Sequence, residues 1–467
     1  MLNISIPKNP DLNKISSAIS QLLKLGHNVN NLINEDILYN LNPKQFIFLI
    51  SIAAFEGKNF KQNMFYIKKY IKSLPKNNLE LLLNLEAFLH SFFLKKYETN
   101  EAYNEFYSFF SELYVTKKRK NFKIKNINNI LFYVHQPVFL AHTNPLFFLM
   151  ENRKNNYVKI SIASNNTDVN FENKCKTLGI SFHNINDKSI IQSMSKLKKL
   201  ALSHDIVVWQ SVPLHLSYFR SIFSNVSYWS HKFHPNISNL RSYIASFNFS
   251  EKKQIRINGN IWENIDVGFE INNLHTKKHN WSKRKLKFGS FCREELIDYE
   301  KYWEKIKLIL TNNVDSRFFY CGRTEIHSKW CQKLNLNTKR IFFLGWLEQP
   351  HFLIKEMSFI LDGDYLGHGY MALEAMAAGV PIIVSYNRKT KSMFENQIKR
   401  YSHKLDPKQI NNYLKKFLLI YKNNKDLINI TNQLLTSLSY NSFYGNEYIK
   451  IVKNIKNASF EDFIKVL

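Results

Sequence analysis

Twice in this chain, short apolar runs alternate with segments of helical periodicity. The first series reads "NNILFYVHQ", "NPLFFLMENRKN", "YVKISIAS", "NFENKCKTLGI", "SIIQSMSKLKKLALSH", "DIVVWQS", "LHLSYFRSIF" and "NVSYWS". The second reads "KLKFGSFC", "DYEKYWEKIKLILTNN", "RFFYCGR", "KRIFFLGW", "PHFLIKEM", "SFILDGD" and "PIIVSY". Apolar runs of this length fit strands buried on both faces, and strands alternating with helices predict parallel sheets. The fold class expected is therefore α/β, with one block over 127–275 and a second over 284–405.

The flanks differ. Residues 1–120 carry helical spacing in "ISSAISQLLKL", "PKQFIFLISIAAF", "FKQNMFYIKKYIKSL", "LELLLNLEAFLHSFFLKKY" and "EAYNEFYSFFSELYV", broken at Gly26, Pro43, Gly57 and Pro75. Short connections predict antiparallel helix pairs, and one stretch loosely resembles a single tetratricopeptide repeat. The basic stretch "KKRKNFKIKN" reads as an exposed linker. Residues 406–467 return to lysine-rich helical patterns.

Composition excludes several classes. With 45% hydrophobic and 15% aromatic residues, the chain can fill large cores. Its four cysteines form no CxxC pair, so neither a zinc site nor a disulfide framework is expected. There is no signal-like start and no apolar run near the roughly 18 residues that span a bilayer. A cytoplasmic protein is expected. The net charge of +28 reads mainly as a lysine-rich surface, and no nucleic-acid-binding motif accompanies it.

The chemistry concentrates in "LGHGYMALEAMAAGVPIIVS", Leu366 to Ser385, which holds three of the 13 glycines. It follows the strand "SFIL", and ligands of open parallel sheets bind beyond the carboxyl ends of strands. Gly367 and Gly369 permit close backbone approach. The helix that follows offers free amides and a dipole suited to a diphosphate. Glu374, one turn into it, can accept from two sugar hydroxyls. Gly379 fits a helix C-cap and Pro381 stops the helix. A strand–turn–helix–strand unit without a ligand also asks for these glycines.

The order "FYCGR", "FLGWLEQ", "GHGYMALEAMAAGVPIIVS" resembles the C-terminal half of GT-B glycosyltransferases. The last segment is similar to the G-x-G-x-x-x-x-E-A-x-A-x-G-x-P pattern of retaining members. "GH" with "AGVP", and "YVHQPVFLAHTNPLFFLM", resemble the inverting O-GlcNAc-transferase-like group, which includes bacterial cytoplasmic enzymes that glycosylate adhesins. The resemblance implies two Rossmann-like domains facing a cleft, behind a helical domain that helps to hold a protein acceptor. It implies a nucleotide-diphosphate sugar such as a UDP- or GDP-sugar in the C-terminal domain, bound without a metal. It places Gly345, Gly367, His368, Gly369, Tyr370 and Glu374 at the donor. His142 is the matching cleft histidine, acting on the acceptor, with His135 as the other candidate.

Two positions depart from the family patterns. Leu366 stands where the retaining pattern has a second glutamate. Leu296 stands where a diphosphate-binding lysine is usual, and Arg293 could supply that charge with a fork suited to phosphate. His231, Lys232 and His234 in "SYWSHKFHPN" are candidates for acceptor or phosphate contact, or are ordinary loop residues. The function expected is transfer of a hexosyl or N-acetylhexosaminyl group to a protein side chain, the leaving group met by helix amides, Arg293 and His368. One alternative acceptor is a surface polysaccharide or lipid-linked glycan, with the basic surface touching anionic membrane. An alternative of another class, motivated by Leu296 and Leu366, is a transferase-derived binding protein without turnover.

Overall fold

A computed structural model describes residues 41–55, 60–75, 78–94, 97, 99–114, 120–122, 126–137, 143–154, 157–230, 234–246, 253–265, 286–292, 297–322, 325–345, 347, 350–362, 374–375, 378–386, 408, 418–436 and 459–467. The chain divides into two compact units, residues 1–267 with 458–467, and residues 268–457. The expected helix over "ISSAISQLLKL" lies outside the described residues.

The first unit opens with helices α1 (Pro43–Phe55), α2 (Phe60–Ser73), α3 (Leu79–Phe92) and α4 (Asn100–Leu113). Polar caps fix three of their starts, the Asn42 side chain accepting from the Gln45 amide before the first. The Asn78 side chain accepts from the Leu81 amide, and Thr99 accepts from the Ala102 amide. Helix α1 packs on α2 and α3, and α2 on α4.

The sheet of this unit contains β1 (Asn129–Val134), β2 (Lys159–Ser164), β3 (Ser181–Asn184), β4 (Ile206–Gln210), β5 (Val226–Ser230), β6 (Tyr243–Ala245), β7 (Gln254–Ile257) and β8 (Asn260–Asn264). Its order is β3-β2-β1-β4-β5-β6-β8-β7, parallel except for the β7–β8 hairpin. Helices α5 (Asn144–Glu151), α6 (Val169–Thr177), α7 (Ile190–Leu202) and α8 (Leu216–Ile222) connect successive strands.

Side chains alternate across a strand, so β1 feeds two cores. Ile130, Phe132 and Val134 pack with Phe147, Phe171 and Trp229, and with Phe463 of the C-terminal helix. Leu131 and Tyr133 belong to the opposite core, which also contains Phe46, Tyr70, Leu89, Phe106 and Phe110 of α1–α4. The N-terminal helices therefore cover one face of the sheet and share its core. Each fully buried Leu or Phe contributes about 1.5–3 kcal/mol to that joint.

The second unit contains β9 (Lys287–Phe291), α9 (Glu300–Asn312), β10 (Arg317–Cys321), α10 (His327–Leu334), β11 (Ile341–Phe343), α11 (His351–Ile354), β12 (Phe359–Leu361), β13 (Ile382–Ser385), β14 (Leu418–Tyr421) and α12 (Asn424–Thr436). The sheet order is β11-β10-β9-β12-β13-β14, all parallel. Helix α13 (Phe460–Val466) returns to the first unit.

Both sheets thus begin with the same order, third strand, second, first, fourth, fifth, sixth. Such an order reverses direction between the first and fourth strands, here β1/β4 and β9/β12, and the carboxyl side of that switch is where such folds bind ligands. Four features were not visible in the sequence pattern. Strands β3 and β6 and the β7–β8 hairpin are short and partly exposed, so they lack the long apolar run that marked the others, and the run of β14 stands among lysine-rich segments of helical spacing. Strand β14 corrects the purely helical reading of 406–467, because "LLIY" pairs in register with Ile382–Ser385.

Candidate active site

The carboxyl edge of the second sheet is built from the residues that end its strands. Gly322 follows β10 and donates its N–H to the carbonyl of Gly345, beyond β11, at 3.2 Å. Gly345 has φ +70°, and a Cβ there would meet open space, so its glycine serves the left-handed backbone and not close packing. Across the switch point, Tyr302 Oη donates to the Leu361 carbonyl at 3.0 Å, and Ser290 Oγ lies 3.2 Å from Cys292 Sγ. Asp362 ends β12 fully buried, its N–H donating to Ile383. Asp362 was not among the residues expected at the site. The signal for it was present in the sequence: an aspartate directly after a wholly apolar strand sits at the carboxyl edge.

Strands β12 and β13 are parallel neighbours, Ile360 opposite Ile382, so the segment between them is a crossover. Glu374 and Ala375 are helical in that crossover. The Ala378 N–H donates to the Glu374 carbonyl, the Val380 N–H reaches back to Ala375, and Gly379 has φ +74°. This is a Schellman ending, with Gly379 at the left-handed position expected of it. Burial alone pushes the Glu374 carboxyl up to about 7. Gly345 and Glu374 are the two expected donor residues that the structure describes, Gly345 at the carboxyl edge and Glu374 on the crossover from β12. Gly367, His368, Gly369, Tyr370 and Arg293 lie outside the described residues, as do Leu296 and Leu366.

The first sheet ends in neutral polar residues. Ser164, Gln210, Ser230 and Ser246 close or follow β2, β4, β5 and β6, and all are buried. His135 follows β1, its carbonyl accepting from Asn166 Nδ2 at 3.0 Å. Beyond β4, Ser211 and His215 take φ 65° and 62°, left-handed backbone that costs a non-glycine residue of order 1 kcal/mol each. His234 sits after β5, buried edge-on against Trp262 with ring centroids 4.7 Å apart. Burial pushes its imidazole down to about 4, so it is neutral at ordinary pH. The Asn258 side chain donates to its carbonyl at 2.7 Å. His142, His231 and Lys232 lie outside the described residues. A cavity of about 340 Å³ lined by Asn129, Arg153, Lys159, Ser181 and His204 opens at the opposite, amino edge of this sheet.

Two parallel sheets of Rossmann order, the second with a glycine-bounded carboxyl edge and a crossover glutamate, define the GT-B class. A mutant O-GlcNAc transferase of Thermobaculum terrenum is similar at TM-score 0.51 and 11% identity, over 91% of this chain and 82% of that one. A glycosyltransferase of Rickettsia africae matches at TM-score 0.49 and 13% identity, over 73% and 96%. TarM of S. aureus matches at 0.44 and 12%, over 73% and 98%. No curated protein matches the sequence.

Residues 299–433 match the family of glycosyl transferases, group 1. The fold is GT-B, and the residues that match the family lie within the second unit. Among the described residues, no helix is long and apolar enough to cross a membrane.

Proposed function

We propose that this transferase is a cytoplasmic enzyme that glycosylates protein side chains. The donor, a UDP- or GDP-sugar, sits at the carboxyl edge of the second sheet. The observation that carries this is Glu374. Its carboxyl is raised by burial to about 7 and makes no hydrogen bond to a described residue. A carboxylate so placed gains its partners when sugar hydroxyls arrive, and each such charge-assisted bond is worth about 1.5–3 kcal/mol. Gly345, Gly367 and Gly369 let the donor approach the backbone. Tyr370 lines the site, and His368 and Arg293 neutralise the leaving diphosphate, so that no metal is required.

The acceptor enters at the carboxyl edge of the first sheet. His142 assists its nucleophile, and His231, Lys232 and His234 belong to the loop beside it. Support for a protein acceptor comes from helices α1–α4, which pack on this sheet and share its core. A surface glycan or lipid-linked acceptor is the second reading, favoured by the net charge of +28, which suits peripheral contact with anionic membrane.

The test is transfer. The full chain is incubated with UDP- and GDP-hexoses and N-acetylhexosamines, with protein and lipid-linked glycan acceptors offered in parallel. Sugar mass added to a protein supports the first reading. Addition to the glycan alone selects the second, and donor binding without any turnover would leave a binding protein.

A further inference from the structure

One buried carboxyl group joins the N-terminal helices to the carboxyl edge of the first sheet. Glu86 lies in α3 with no exposed surface. Its Oε1 accepts from the backbone N–H of His215 at 2.8 Å, and its Oε2 accepts from Tyr114 Oη at 2.9 Å. The Leu83 carbonyl, nearly one turn earlier, accepts from His215 Nε2 at 3.0 Å. Helix α4 adds Ser111 Oγ, 2.7 Å from Ser217 Oγ. The same helix also holds the loop after β5: Asn236 N–H donates to Asn104 Oδ1 at 2.7 Å, and Ser108 Oγ donates to the Asn236 carbonyl.

Packing alone does not call for this glutamate. It stands on the buried stripe of "LELLLNLEAFLHSF", three residues after Leu83 and four before His90. An apolar residue there would fill the same space without the cost of burying a carboxyl group. What only an acceptor can do is take the amide of His215, a residue held in left-handed backbone. The sheet fastens the rest of the loop. Tyr228 Oη donates to the Ser211 carbonyl at 2.8 Å, and Trp209 Nε1 donates to that of Val212 at 3.0 Å. Glu86 and Leu83 fasten its far end.

We propose that Glu86 is a positioning residue of the transferase, through which α3 holds the loop Ser211–His215 beyond β4 in the shape that acceptor chemistry requires. This rests on the reading that the carboxyl edge of the first sheet receives the acceptor.

The test compares the full chain with Glu86→Gln and Glu86→Ala, below the melting temperature of each. Glutamine keeps an oxygen for the His215 amide and offers its NH2 to the Tyr114 oxygen. The readouts are amide exchange over 211–217 and hydrolysis of whichever UDP- or GDP-sugar the wild type turns over fastest. Alanine is expected to speed exchange of this segment about ten-fold or more. It should lower kcat about ten-fold with donor KM unchanged, as a misplaced group does. Glutamine should restore both. If the alanine variant does not fold, Glu86→Met fills the volume without an acceptor. Wild-type exchange and kcat in the alanine or methionine variant would overturn the proposal. So would a glutamine variant as impaired as alanine, or a loss confined to donor KM. A wild type that turns over no nucleotide sugar sinks the transferase reading instead, and the exchange result still decides whether Glu86 holds the loop.

Discussion

The two sheets share one strand order and differ in how their carboxyl edges are finished. In the first, a buried glutamate, Glu86, has both oxygens occupied by protein donors, and helices brace the loops beyond β4 and β5. In the second, the Glu374 carboxyl is raised by burial alone and makes no hydrogen bond to a described residue. A buried carboxyl group whose partners are protein groups organises structure, and the role proposed for Glu374, with no such partner among the described residues, is to meet a ligand. The same strand order thus serves a braced edge and the proposed donor edge.

The largest effect should come from breaking the braced side. Trp262 is fully buried against Tyr228, Tyr243 and His234. Trp262→Ala should cost about 3–5 kcal/mol in denaturant melts of the first unit. Nucleotide binding by the second unit should survive it. Next is Glu374→Ala, expected to lower kcat/KM for the donor about 100-fold or more, with no loss of stability in the melt. Donor affinity of the wild type should weaken as pH falls through about 7, because protonation removes the acceptor.

The braced carboxyl makes an opposite-looking prediction. Burial pushes Glu86 from 4.5 up to about 8. A raised acid binds its proton more tightly when folded, so its stabilisation is present below 4.5 and lost as pH rises through about 8. Wild-type stability should therefore fall across that window with a slope of up to about 1.4 kcal/mol per pH unit, and Glu86→Gln should remove that slope in melts taken as a function of pH. Gly289→Ala comes next. A Cβ there would lie 2.8 Å from the Phe319 carbonyl oxygen, which the paired strand cannot easily move. Calorimetry should find a loss of about 1–3 kcal/mol in the second unit. Smallest is Gly259→Ala in the β7–β8 turn, where φ is +83° and nothing lies within 4 Å. Backbone strain alone should cost it about 1 kcal/mol.

Much of this was legible in the residues. Runs such as "ILFYV" and "IVVWQ" are apolar at nearly every position because both faces of the strand are covered, and such runs identify parallel strands without help from neighbours. Gly379 and Pro381 announced the end of the crossover helix, and Glu374 stood out as the carboxylate beside the glycines. Strands such as "SFHN" and "QIRI" were hidden because edge pairing needs no apolar pattern. The role of Glu86 was hidden for another reason. Its position on an apolar stripe is visible in the sequence, but its partner His215 lies 129 residues away, and only the fold brings them together.

The most direct test of a donor site built around Glu374 is calorimetric titration of the full chain with a panel of UDP- and GDP-sugars, repeated with Glu374→Ala. One nucleotide sugar should bind, its affinity should fall sharply in the variant, and the variant should melt no lower than the wild type. Absence of binding by every donor in the panel, or equal affinity in wild type and variant, would contradict that site.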